Sequence, residues 1–147
     1  MPHVAAWWKP ATPAEIAAKY LPRLRGETSV RVYAILLDAK PIGMVQAAPL
    51  EGAGSADACT IDLLIGDPTL TGAGLGPQII DAFVTDELFG RLGFTACFAD
   101  PAEHNWRSVR AFERAGFTRL RSMDTDGQTL SLMARERSSQ SLPTVCG

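Results

Sequence analysis

The chain has 147 residues, which suits one domain with one core. Hydrophobic residues at 46% and charged residues at 20% fit a soluble globular protein rather than a disordered or membrane-spanning one. A net charge of -2 offers no basic face to a nucleic acid, and no apolar run approaches the ~20 residues that span a bilayer.

Met1 to Lys9 lacks a charged segment followed by an apolar one, so it does not read as a signal peptide. Thr12-Pro13-Ala14-Glu15 has the form of a capping box with proline at the first helical position, which predicts a helix from Pro13 to about Leu21. Pro22 should kink or end it, and Gly26 should close it. Val30 to Leu37 and Ile42 to Ala48 read as an antiparallel hairpin around Asp38-Ala39-Lys40-Pro41. Pro49 to Asp57 reads as a loop and Cys59 to Ile65 as a third strand.

Leu75, Ile79, Ile80, Phe83, Val84 and Leu88 recur at helical spacing, which predicts a helix from Leu75 to Phe89, broken at Gly90 to Gly93. Phe94 to Ala99 is a short apolar strand. Asn105 is a candidate N-cap for a helix over Trp106 to Ala115, with Trp106, Val109, Phe112 and Ala115 toward the core and Gly116 as its stop. Phe117 to Met123 and Gln128 to Arg135 read as a last hairpin around Asp126-Gly127. Residues 1–137 are thus expected to form a single domain and 138–147 a flexible tail. Strands interleaved with helices make an α/β (α+β) fold.

The stretch Thr60 to Ile80 carries the chemistry. An apolar strand with one acid, Asp62, runs through Gly72-Ala73-Gly74-Leu75-Gly76 into a helix. Small residues at a helix start leave main-chain N–H groups bare, and such a start attracts a phosphate group. The segment is not the Rossmann fingerprint, because Pro77 stands where a third glycine is needed, and no Gly-Lys-Ser/Thr follows to make a P-loop. A plain flexible turn is the alternative. Asp62 is either a solvent-facing residue of an alternating strand or a general base beside the turn. Trp7 and Trp8 are either core or one wall of a cleft. His3 and His104 lack metal-ligand spacing, so no metal is expected. Cys59, Cys97 and Cys146 form no C-x-x-C pair and read as reduced residues of a cytoplasmic protein.

Two segments resemble the GCN5-related N-acetyltransferases, the GNAT superfamily. Leu70-Thr71-Gly72-Ala73-Gly74-Leu75-Gly76 looks like their acetyl-CoA pyrophosphate loop. Asp100-Pro101, Asn105 and Ala111-Phe112-Glu113-Arg114-Ala115-Gly116-Phe117 look like their second cofactor motif. Trp7-Trp8, Tyr20-Leu21-Pro22, Pro41-Ile42-Gly43, Ile61-Asp62 and Asp126-Gly127 add a likeness to the aminoglycoside 6'-N-acetyltransferases. The resemblance implies a mixed, mostly antiparallel GNAT-like sheet flanked by helices. It implies an enzyme that moves an acetyl group from acetyl-CoA to a primary amine, such as an aminoglycoside 6'-amine, by direct attack. A polyamine, a lysine-like siderophore precursor and a protein N-terminus are alternative acceptors. A truncated, non-catalytic acetyl-CoA-binding or dimerising module is the rival reading.

By the same resemblance Asp62 is the catalytic base. Thr71, Gly72, Ala73, Gly74, Leu75 and Gly76 hold the pyrophosphate, and Asn105 lies near the pantetheine arm or the leaving sulfur. Leu63 and Leu64 lie where the strand splays and a main-chain N–H reaches the thioester oxygen. Trp7, Trp8, Asp57, Asp62 and Asp100 are the candidate substrate-binding residues. The chain also departs from the family. Phe112 stands where many members carry a proton-donating tyrosine, and the drug-gripping acidic loop is reduced to Gly52-Ala53-Gly54-Ser55-Ala56-Asp57. The family's first strand and most of its first helix have no counterpart before Trp7. An N-terminally truncated sheet would expose Val30 to Leu37 as an apolar edge, so the chain is expected to form a homodimer there or to start upstream.

Overall fold

The computed structural model describes residues 28–50, 57–65 and 74–138 without a break, together with positions 14, 15, 18, 21, 22 and 25. Positions 14, 15, 18, 21 and 22 are helical, as the capping box predicts. Pro22 is itself helical, and Arg25 N donates to the Leu21 carbonyl at 3.0 Å. Gly26 lies outside the described residues.

β1 (Arg31–Leu37) and β2 (Lys40–Pro49) form the expected hairpin, with a tighter turn than the sequence announces. Only Asp38 and Ala39 stand between the paired Leu37 and Lys40, with φ of 50° and 64°. Two left-handed residues in a row match the twist of the strands, so two residues suffice. β3 (Ala58–Ile65) pairs antiparallel with β2 in unbroken register from Gly43–Ile65 to Pro49–Cys59.

α1 (Leu75–Ala82) begins at the glycine-rich turn. The predicted helix to Phe89 is corrected here: from Phe83 to Arg91 the chain is π-helical, and Gly90 lies inside it. Val84, Leu88 and Phe89 are its buried residues, four and five apart, which is the spacing that wider turns bring to one face. β4 (Ala96–Ala99) and α2 (Trp106–Arg114) follow. Gly116, at φ 91°, ends the second helix as predicted. β5 (Thr118–Thr125) and β6 (Gln128–Glu136) close the chain as a hairpin whose turn residues Asp126 and Gly127 have φ of 50° and 76°.

Among the described residues the strands form one mixed sheet, in the order β1-β2-β3-β4-β6-β5. Only β3 and β4 run parallel. Ile35, Ile42, Val45, Cys59, Ile61, Cys97 and Met133 from the sheet meet Ile80, Val84, Leu88, Val109 and Phe112 from the helices. Trp106, which the helical spacing turns toward this core, is instead 58% exposed at the first position of α2, with the Arg107 guanidinium 5.5 Å from its ring. No helix among the described residues is long and apolar enough to cross a membrane.

Two local devices set the geometry. Arg135 on β6 donates to Asp81 Oδ1 and to the Ala115 carbonyl, both at 2.8 Å, and to Thr85 Oγ1 at 3.1 Å. It ties α1 to the end of α2. Gly43 lets β2 and β3 approach closely: a Cβ there would lie 2.9 Å from Ile65 Cα and closer still to the Leu64 carbonyl oxygen. Gly43→Ala therefore forces backbone against backbone and should cost at least ~2 kcal/mol. Urea unfolding of the two chains measures it, and equal midpoints would refute the close approach.

Candidate functional site

β3 and β4 share pairing only at Ala58–Ala96, Cys59–Cys97 and Thr60–Phe98. Beyond Thr60 they part. β3 stays with β2 as far as Ile65. β4 stays with β6, and the loop after it does too: Ser131 N donates to the Pro101 carbonyl and Glu103 N to the Thr129 carbonyl, both at 2.8 Å. Glu103 is further held by Arg119 and Ser122, each at 2.9 Å. The parallel register, continued past Thr60–Phe98, sets Asp62 opposite Asp100 across the split.

The pairing phase decides which main-chain groups face that split. Leu50 N donates to the Ala58 carbonyl at 2.9 Å, so Leu50–Ala58 is a hydrogen-bonded antiparallel pair. Such pairs alternate with non-bonded ones. Asp62 and Leu64 therefore spend their main-chain groups on β2, while Cys59, Ile61 and Leu63 turn theirs toward the side of β4. Cys59 and Ile61 flank the last β3–β4 pairing. Leu63 is the next residue to turn that way, past the point of separation. Of the two leucines named from sequence, it is Leu63 and not Leu64 whose N–H faces the split.

Of the two sequence readings of Asp62, the solvent-facing one describes where its side chain starts. Strand alternation puts its side chain on the exposed face, while Ile61 beside it is buried. Its carboxylate then turns along the strand. Asp62 Oδ1 accepts from Leu63 N at 3.0 Å, which places that oxygen at the split edge. Asp62 Oδ2 accepts from Gln46 Nε2 at 3.3 Å. Gln46 is the direct β2 partner of Asp62. It went unremarked in the sequence because a glutamine in a strand carries no signal until the register is known.

The Asp100 carboxyl is held above the ordinary carboxylate range, first by desolvation and then by the charge of Asp62. The two acids thus feel each other across the gap. Asp57 is elsewhere: it sits before the start of β3, where its carbonyl accepts from Thr95 N at 2.8 Å. Five residues of strand at ~3.3 Å each put it about 16 Å from Asp62. The structure brings Asp62 and Asp100 together and leaves Asp57 at the far end. Trp7, Trp8, Thr71, Gly72 and Ala73 lie outside the described residues.

Both helices aim their N-termini at this end of the sheet. Gly76 lies beside Ala111, with 3.5 Å between the two Cβ positions, and Arg135 bridges Asp81 and Ala115 further along, so α1 and α2 run side by side in one direction. α1 starts from Gly74 at φ 77° with no side-chain cap and no acid in its first turn. A Cβ on Gly74 would meet nothing within 4 Å. Among the described residues no side chain caps its first N–H groups, and such a start suits an anion. α2 differs, because Asn105 Oδ1 caps it by accepting from Ser108 N at 3.3 Å. Phe112 is buried edge-on against Phe117, with ring centroids 5.1 Å apart, and has no proton to give. A separate hollow of about 700 Å³ lies among Thr85, Phe89, Gly116, Leu120, Arg135 and Arg137. The Ala96–Glu136 pairing puts it at the opposite end of β4 from Asp100.

Comparison with known proteins bears on this arrangement. The model of the acetyltransferase (GNAT) domain matches residues 1–125. The aminoglycoside N(6')-acetyltransferase type 1 of Klebsiella pneumoniae is 31% identical over 144 residues, covering 89% of this chain and 71% of that protein. The crystal structure of aminoglycoside acetyltransferase AAC(6')-Ib in complex with coenzyme A and kanamycin aligns with a TM-score of 0.82 at 29% identity, covering 93% of this chain and 84% of that one. A structure of AAC(6')-Ib with paromomycin and acetyl-CoA gives a TM-score of 0.83 at 27% identity, covering 100% and 88%.

Asp62→Asn removes the charge that lifts the Asp100 carboxyl. Its midpoint should then fall toward the ordinary carboxylate value, while desolvation keeps it somewhat above. A carboxyl-carbon NMR titration of both chains checks this; an unmoved midpoint would mean that the two acids do not face each other.

Proposed function

The chain belongs to the acetyltransferase (GNAT) family, and from that premise we propose how its residues divide the work of acetyl transfer. The reaction moves an acetyl group from acetyl-CoA to an amine. The acceptor we propose is a cationic primary amine of the aminoglycoside class. The named relatives support it, and so does the pair of carboxylates at the split. That juxtaposition is the observation on which the reading rests: a negative edge for the amine beside a bare helix start for the phosphates.

Acetyl-CoA, when bound, supplies an activated acyl group. The start of α1 fits its pyrophosphate, with Gly74, Leu75 and Gly76 donating main-chain N–H groups; Thr71, Gly72 and Ala73 are assigned to the same group from the sequence alone. A primary amine with a pKa near ~10.4 is protonated at neutral pH, and neutralising it costs about 4–5 kcal/mol. Asp62 takes that proton, and Asp100 adds negative charge that draws the cation in. The C–N bond then forms as the C–S bond breaks, with no acyl-enzyme. Leu63 N–H donates to the acyl oxygen as negative charge grows on it. The attacking nitrogen sheds its second proton to water as the amide forms, and the departing thiolate is protonated through water, because Phe112 offers no proton.

Asp62→Asn should keep coenzyme A binding and lose roughly 10²-fold or more in kcat. A thiol-release assay with kanamycin and a panel of simpler amines measures the rate, and calorimetry measures the binding. Near-normal turnover would remove Asp62 as the base. A cofactor-dependent rise in melting temperature with no thiol release from any amine would favour the non-catalytic module instead.

Self-association through β1 belongs to the same reading. Among the described residues β1 ends the sheet, and Leu36 is 60% exposed. Sedimentation equilibrium should return a dimer that Leu36→Lys weakens; a monomer at every concentration would exclude it.

A further inference from the structure

Leu63 N–H has two claimants. In the structure it donates to Asp62 Oδ1 at 3.0 Å. In the proposed reaction the same N–H serves the acyl oxygen. One N–H pointing one way does not satisfy two acceptors at full strength, since hydrogen bonds weaken steeply off line. Of the other N–H groups here, Leu64 faces β2, Ile61 flanks the Thr60–Phe98 pairing, and Ile65, in the same phase as Leu63, stands a further two residues along at the end of β3.

The geometry points to an exchange: a carbonyl entering the split takes Leu63 N–H from Asp62, and the released Oδ1 turns to the amine about the bond that Gln46 keeps to Oδ2. This rests on the acetyl-transfer reading of the site. Until the acyl carrier is in place, one oxygen of the base is occupied by its own main chain. A carboxylate oxygen that accepts an amide proton is a weaker base, so the exchange arms Asp62 when an acceptor has something to attack. Gln46 is then a positioning residue, the pivot that keeps the carboxylate at the edge while Oδ1 swings.

The device predicts competition between Asp62 and the carbonyl for one donor. Two non-transferable carriers separate it from simple binding: a ketone analogue of acetyl-CoA that keeps the carbonyl, and an ethyl thioether analogue that lacks it. Both carry the same charge, so the ratio of their dissociation constants cancels the bulk electrostatics of Asp62. In the parent chain the carbonyl should gain little. In Asp62→Ala, where the competitor is gone, the preference for the ketone should rise roughly fivefold to tenfold, about the worth of one hydrogen bond. Asp62 is exposed, so its truncation leaves the core intact.

A second measurement needs no substitution. The carboxyl-carbon NMR signal of Asp62 should move when the ketone analogue binds and stay when the thioether binds. An unchanged preference in Asp62→Ala, or an Asp62 signal that responds equally to both, overturns the exchange while leaving acetyl transfer standing. Failure of both analogues to perturb the amides of Gly74, Leu75 and Gly76 overturns the acetyl-transfer reading itself, and the exchange with it.

Discussion

The site exists because two neighbouring strands are held by other partners. β3 keeps its hydrogen bonds to β2 down to Ile65, which the absence of a side chain at Gly43 permits. β4 and the loop after it keep theirs to β6, through Pro101 and Glu103. Between these allegiances the parallel pair has only three registered positions before it opens. At the opening Leu63 N–H bonds the Asp62 carboxylate in place of a neighbouring strand.

Opposite electrostatic needs then meet at one end of the sheet. The bare start of α1 offers positive main-chain potential, and Asp62 and Asp100 offer negative charge a strand away. An anionic carrier and a cationic acceptor can approach together without competing for the same groups. Arg135 fixes the relation, because it locks α1 against the end of α2 from below and so sets where both helices start.

Much of this is legible in the sequence wherever the cause is local. Asn105 as a cap, Gly116 as a stop and Asp126-Gly127 as a turn depend on residues within reach of one another along the chain. The acid on the third strand is visible for the same reason. What stays hidden depends on pairing. Nothing in the sequence says that Gln46 faces Asp62, that Gly43 stands against Leu64 and Ile65, or that Leu63 rather than Leu64 points its N–H at the gap. The resemblance groups Asp57 with Asp62 as candidate substrate-binding residues, yet an extended strand carries the two far apart. The wide turns after Ala82 escaped because Val84 and Leu88 satisfy an ordinary helical period, and only Phe89 reveals the longer one.

Coenzyme A is expected along the parting of β3 and β4 and not in the hollow at the other end of the sheet. Amide NMR of the labelled chain during titration with coenzyme A tests it most directly. Shifts should concentrate at Leu63, Gly74, Leu75, Gly76 and Asn105. Shifts gathered instead at Thr85, Gly116 and Arg137, with Leu63 and the start of α1 unmoved, would contradict it.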